Sequence, residues 1–280
     1  MRILKRRPIN DDPDGARSPL DAAVHRREES TLDIVAEAIR HRETVLAFQP
    51  VFQAQPPHNP IFHEGLIRVL DPARRIIPAR DFITAIEASE LGRMLDRNAL
   101  DVGLRTLAQH PGLRLSLNMS ARSIGYRPWM RTLETHLKSY PNLGERLMLE
   151  IGEASAMAVP ELVIDFMDRL QAHGIAFALD DFGGGPTNFR HFRDFLFDAV
   201  KIDAQFIRNL AQMPDNQDVV LALIAVAKQF DLMIIANAVE RVEDAEFLVR
   251  AGVDCLQGHL FGAATLRPDW AEEDEARRRA

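Results

Sequence analysis

Two adjacent carboxylates, Asp180 and Asp181, close the short apolar run from Ile175 to Leu179 and lead through Phe182 into Gly183, Gly184 and Gly185. An apolar run of this length bounded by glycines reads as a buried strand, so both acids stand where it leaves the core. Like charges held together in a low dielectric resist joint ionisation, and the pair therefore predicts a bound cation. Polar endings recur along the chain: Glu64, Asn118, Glu150, Lys201 with Asp203, Asn237 with Glu240, and Gln257 each lie in or just after an apolar run. Any one of them alone reads as a helix cap or a solvated turn residue. Independent capping does not explain the same ending in nearly every unit. Carboxylates and amide oxygens without His or Cys make a hard-oxygen set, suited to Mg²⁺ or Mn²⁺ rather than Zn²⁺. Such a set can hold two cations about 3.5–4 Å apart, activate a water and clamp an in-line phosphoryl displacement. Lys201 would orient that water or offset charge developing on phosphorus.

The elements that must position these residues alternate. The short runs are TVLAFQPV, IFHEGLIRV, LRLSLNM, LMLEI, IAFALDD, DAVKID, LMIIAN and DCLQG. Between and around them, amphipathic patterning predicts helices over Ser30–Arg40, Asp81–Gln109, Ser120–Ser139, Pro160–His173, Ala204–Met213, Asp215–Phe230 and Val242–Ala251. In the helix from Pro160, Leu162, Val163, Phe166, Met167 and Leu170 share a face, and Gly174 is placed to end it; Gly252 does the same for the last helix. Eight runs interleaved with helices predict an α/β fold, a parallel sheet closed into a TIM-barrel-like (β/α)8 barrel. In such a barrel the C-terminal strand ends converge on one face, where residues scattered over nearly 200 positions would meet.

The chain has 280 residues, 46% hydrophobic and 27% charged, with a formal charge of −7. That balance argues against broad nucleic-acid affinity, so an anionic ligand needs a metal or an arginine. The single cysteine, Cys255, lies in an apolar context and reads as a small core residue. Residues 1–28 are rich in Pro, Asp and Arg and read as a flexible arm; 269–280, with EEDEARRR, reads as a charged tail, leaving 29–268 as the domain. No apolar segment is long enough for a signal peptide or a membrane span, and a cytoplasmic location is the default expectation. The run Gly183–Pro186 lacks the GK[ST] ending of a P-loop and reads as a tight turn.

The sequence resembles the EAL domain family, bacterial hydrolases of the second messenger cyclic di-GMP. From about Thr44 to Leu266 the segments FQPVF, HEGLIRVLDP, DFITAIEASELG, LRLSLNMSARSI, LMLEIGEAS, FALDDFGGG, DAVKIDAQFI, IIANAVE and CLQGHLFG stand in family order. The resemblance implies that Glu64, Asn118, Glu150 and Asp180 bind a first metal, and that Asp180 bridges to a second one also held by Asp181. It implies Lys201 beside the attacking water and Arg68 on a substrate phosphate, with Gln49, Leu66 and Gln257 lining the ligand pocket. It further implies Glu153 as anchor of the loop after Asp181, Glu240 among the catalytic acids, a first strand antiparallel to the others, and a homodimer coupled to the metal site through that loop.

Three departures bear on function. Gly65 replaces the alanine of the family's naming triplet, a change expected to be tolerated. The loop after Asp181 carries Gly184-Gly185-Pro186-Thr187-Asn188, in which Pro186 removes a backbone donor. Asn237 stands where the family has a glutamate that contributes to the second metal, and so removes a negative charge there. The expected activity is metal-dependent hydrolysis of cyclic di-GMP to linear pGpG; the alternative is a weak or inactive domain that binds cyclic di-GMP and signals through a protein partner.

Overall fold

The computed structural model describes residues 31–56, 59–185 and 192–271. The expected arm, residues 272–280 of the expected tail, and Pro186, Thr187 and Asn188 lie outside them. All eight runs are strands: β1 Thr44–Gln53, β2 Pro60–Leu70, β4 Leu115–Asn118, β5 Leu147–Gly152, β6 Ala176–Phe182, β7 Ala199–Ile202, β8 Met233–Ala236 and β9 Cys255–Leu256. A two-residue strand, β3 (Ile76–Ile77), adds to the edge of β2. The order β1-β9-β8-β7-β6-β5-β4-β2, closed by β1 on β2, is a barrel. β1 is antiparallel to both neighbours, β2 and β9, and every other pair around the ring is parallel.

Helices cover the outside, and four expectations need correction. The stretch from Asp81 to Gln109 is not one helix: short turns at Ala79–Asp81 and Ile83–Ile86 precede a long helix, Glu90–Gln109. Ser89 starts that helix by accepting from Leu91 N, which a continuous helix would not require. The next helix begins at Arg127 rather than Ser120, with Pro128 in its first turn, where a missing N–H costs nothing. Ala204–Met213 breaks after Ile207, because Asn209 takes a left-handed φ of 55°. A short helix, Glu153–Ala158, was not expected, and Leu162 is left exposed while Val163, Phe166, Met167 and Leu170 are buried. At the last helix, Val242–Ala251, Gly252 takes φ 87° and ends it as expected.

The largest core cluster lies between the helices and the outer wall of the barrel, and a smaller one, around Val51, Phe62, Ala178, Ala199, Ile235 and Cys255, fills its inside. Cys255 is a buried free thiol whose pKa is pushed up to about 12, by burial and then by Asp254, as suits a core residue. Where the long helix crosses the barrel, Leu117 occupies the room that two glycines leave. A Cβ at Gly65 would stand 2.8 Å from Leu117 Cδ2, and one at Gly103 2.6 Å from Leu117 Cδ1. The tail joins the fold further than expected. Trp270 packs edge-on against Phe48, His63 and His110, with ring centroids at 5.1, 5.9 and 4.7 Å. Among the described residues no helix is long and apolar enough to cross a membrane.

Candidate functional site

Strand alternation builds the site on the interior cluster. Phe62, Met148, Ala178, Ala199, Ile235 and Cys255 belong to that cluster or pack against it. Two residues further along the same strands, on the same face, come Glu64, Glu150, Asp180, Lys201, Asn237 and Gln257. On β1, which runs the other way, the polar residue precedes the apolar one: Gln49 before Val51, with Gln49 opposite Glu64. An apolar floor is thus overlaid by a polar layer, although β2 places Glu64 in mid-strand, level with Ser116 rather than with Asn118.

Lys201, 1% exposed, is the centre of that layer. Its Nζ donates to Glu150 Oε2 at 2.6 Å and to Glu64 Oε2 at 2.8 Å, and stands 3.8 Å from Asp180 Oδ1. Glu64 also accepts from Asn118 Nδ2 on Oε1 and from Gln257 Nε2 on Oε2, both at 2.6 Å. Gln257 Nε2 lies 3.4 Å from Gln49 Oε1, and Gln49 in turn donates to Gly262 O at 3.1 Å. Because Glu64 is an acceptor, both amides must turn nitrogen towards it, which directs their carbonyl oxygens elsewhere.

The electrostatics follow from those partners. Burial works against ionising Glu64, but Lys201, Gln257 and Asn118 more than offset it and hold the carboxyl below its ordinary range. Glu150 has only Lys201, and its carboxyl is pushed up to about 8 by burial and by the charges of Glu64 and Asp180. Burial and Glu64 also raise Asp180. Burial opposes the Lys201 charge, yet Asp180, Glu150 and Glu64 keep the ammonium well above its usual range. Glu150 Oε1, Asp180 Oδ1 and Gln257 Oε1 are buried without a hydrogen-bond partner. Buried acceptors left unpaired are costly, and hard oxygens in this state fit a divalent cation. Among the described residues no three carboxylates close on a common point at metal-ligand spacing, since Glu64, Glu150 and Asp180 close on the Lys201 ammonium instead.

Adjacent residues of a regular strand face opposite ways, so the Asp180–Asp181 pair needs an irregularity. The β6–β7 register shifts between Leu179 and Phe182, and Asp181 takes a left-handed φ of 56°. The Asp181 carboxyl is pushed up to about 6, by the burial of part of its surface and then by Asp180 and Asp203. Glu153 Oε2 accepts from Gly183 N at 3.2 Å and Gly185 N at 3.0 Å, tying down the start of the following loop.

Two expected members stand apart. Asn237 Oδ1 accepts from Ala238 N at 2.7 Å and has no hydrogen bond to the Lys201 cluster. Ala238 takes φ 56°, and beyond it Glu240 lies 3.7 Å from His259, half exposed. Leu66 and Arg68 continue the Glu64 face of β2 and are half-buried, with Arg68 Nη1 donating to Ile67 O at 3.1 Å. Burial lowers the Arg68 pKa and Glu64 opposes that shift. Two supports went unread in the sequence: Asp96 and Ser155, which bind the turn after Asn118. A lone polar residue in mid-helix or mid-strand carries no signal of its contacts.

A closed α/β barrel with an inverted first strand and a lysine ringed by carboxylates and amides defines the class of protein. The chain belongs to the EAL domain family, which it matches over residues 32–264. It is 28% identical over 243 residues to the bifunctional diguanylate cyclase/cyclic di-GMP phosphodiesterase MucR of Pseudomonas aeruginosa, with 85% of this chain and 35% of that protein covered. It is 29% identical over 229 residues to the cyclic di-GMP phosphodiesterase PdeR of Escherichia coli, with 80% and 34% covered. The chain thus spans about a third of the length of these relatives. Among solved structures, the PaMucR phosphodiesterase in complex with c-di-GMP superposes with a TM-score of 0.76 at 27% identity, covering 84% of this chain and 97% of that one. The FimX EAL domain from Pseudomonas aeruginosa bound to c-di-GMP does so with 0.76 at 25%, covering 85% and 97%.

Proposed function

We propose that this domain hydrolyses cyclic di-GMP to linear pGpG, adding one water across one of the two phosphodiester bonds. The observation that carries the reading is the buried Lys201 ringed by Glu64, Glu150 and Asp180, with carboxylate and amide oxygens left without partners. A structural ion pair requires neither a third carboxylate nor orphaned acceptors. Glu64, Asn118, Glu150 and Asp180 would hold one Mg²⁺ or Mn²⁺, and Asp181 would share a second with Asp180. Bound there, divalent cations supply Lewis-acid polarisation of a phosphate oxygen and a water of lowered pKa. Lys201 fixes the carboxylates at the floor of the site and supplies positive charge beneath the reacting phosphate. Arg68, carried on the same face of β2 as Glu64, suits a non-bridging phosphate oxygen through its guanidinium fork. Gln49, Leu66 and Gln257 would line the ligand cavity, and Glu153 would hold the loop after Asp181.

One observation favours a second reading, a receptor that binds cyclic di-GMP without turnover and signals through a protein partner or a homodimer. The Asn237 carbonyl is committed to Ala238 N and adds no charge to the second metal position. Both readings place the domain in the cytoplasm, where the ligand would be met. Hydrolysis with Mn²⁺ or Mg²⁺, run beside Asn237→Glu and Glu64→Ala, separates them. The native chain is expected to make pGpG, Glu64→Ala to abolish it and Asn237→Glu to raise it. A native chain that binds ligand but makes no pGpG, with turnover restored by Asn237→Glu, sinks the phosphodiesterase reading and leaves the receptor.

A further inference from the structure

We propose that Asp96 is a positioning residue that fixes the turn after β4 and thereby holds the Asn118 amide on Glu64. Asp96 lies on the long helix, outside the barrel, and touches none of the Lys201 cluster. A single oxygen, Oδ2, accepts both from Ser120 N at 3.0 Å and from the fully buried Ser123 Oγ at 2.6 Å. Ser120 is two residues beyond Asn118. The turn is held from two further sides, by Ser155 Oγ accepting from Ala121 N at 3.0 Å and by Glu150 O accepting from Met119 N at 2.9 Å.

Asn118 is exposed, so packing does not fix its side chain. Its direction is set by the backbone that carries it and by its one hydrogen bond to Glu64. Of the clamps on that backbone, the Met119 bond continues the β4–β5 ladder, and Ser155 contributes a neutral hydroxyl. Asp96 is the charged acceptor, and charge-assisted hydrogen bonds are about twice as strong as neutral ones. Burial pushes its carboxyl up to about 6, a cost that the two donors only partly offset. Such a cost is retained where the geometry it enforces matters. Displacing Asn118 would remove one of the three donors that hold Glu64 ionised and shift the amide carbonyl that faces away from it.

The consequence for turnover rests on the phosphodiesterase reading, whereas the effect on Asn118 does not. The test therefore has two arms on the full chain. The side-chain NH₂ signals of Asn118, assigned by their loss in Asn118→Asp, are followed by ¹⁵N NMR, and pGpG formation is measured in parallel. In Asp96→Ala the Asn118 NH₂ pair is expected to move towards free-amide positions and exchange with solvent at least about 10-fold faster, with kcat falling about 10- to 100-fold and KM changing much less. Asp96→Asn, whose neutral carbonyl can occupy the Oδ2 position and accept both bonds, is expected to restore the signals and the rate in part, between the alanine variant and the native chain. Ser123→Ala removes one donor, should give a partial effect, and serves in place of Asp96→Ala if that variant does not fold. Unchanged Asn118 signals in Asp96→Ala or Ser123→Ala, or an Asp96→Asn protein indistinguishable from the alanine variant, would overturn the proposal. A native chain without turnover counts against the phosphodiesterase alone, and the amide signals still decide the role of Asp96.

Discussion

Replacing Lys201 with methionine tests the centre of the site most directly, because it removes the cation and keeps the apolar stem. Its cost can be apportioned among the partners. Glu64 would keep Asn118 Nδ2 and Gln257 Nε2 as donors. Glu150 would keep nothing, since Lys201 is the partner of Oε2 and Oε1 already has none. Breaking a buried pair by deleting one partner costs about 3–5 kcal/mol, and here most of it falls on Glu150. With a urea m-value of about 3 kcal/mol/M, the midpoint in chelator-treated protein should fall by a little over about 1 M. Adding Glu150→Gln in the Lys201→Met background removes the buried carboxyl left without a partner and should recover most of that loss, whereas Glu64→Gln should recover less. A Lys201→Met midpoint within about 0.5 kcal/mol of the parent, or no recovery from Glu150→Gln, would refute the assignment of strain to Glu150.

Three other outcomes follow from particular contacts. Gly65→Ala drives a Cβ into Leu117, so it should destabilise the fold by about 1–3 kcal/mol in urea unfolding, and Leu117→Val should relieve the variant. Ala238→Gly removes a left-handed alanine and should raise the urea midpoint by the equivalent of about 1 kcal/mol. With its pKa raised to about 6 from an ordinary 3.8, Asp96 stays protonated in the folded chain after the unfolded chain has lost the proton. Its contribution to stability should therefore fall as pH rises from about 4 to about 6 and level off above, and Asp96→Asn should remove that slope in unfolding measured across the window.

The amino-acid sequence by itself determined the architecture and much of the site. Short apolar runs alternating with amphipathic stretches define eight strands and their helices, and alternation along each strand puts Glu64, Glu150, Asp180, Lys201 and Gln257 on the face that carries the interior apolar residues. These are local periodicities, set by the pleat of a strand and the pitch of a helix, so a linear text records them. What a residue does once there is decided by neighbours distant in the chain. Lys201 reads as a surface charge until three carboxylates from β2, β5 and β6 enclose it. Glu64 and Glu150 look alike in sequence, yet three donors hold one below its usual range while the other, with one donor, is raised. Asn237 and Glu240 follow the same strand signal, yet the Asn237 carbonyl is taken up by Ala238 N and Glu240 lies beyond that left-handed residue, a dihedral choice that no spacing predicts. Asp96 gains its contacts because the long helix packs against the turn after β4, and Trp270 leaves the expected tail because the β1–β2 face offers Phe48 and His63 to its ring. Sequence sets which face each side chain takes; only the closed barrel sets which charges must share one low-dielectric space, and that sharing determines their chemistry.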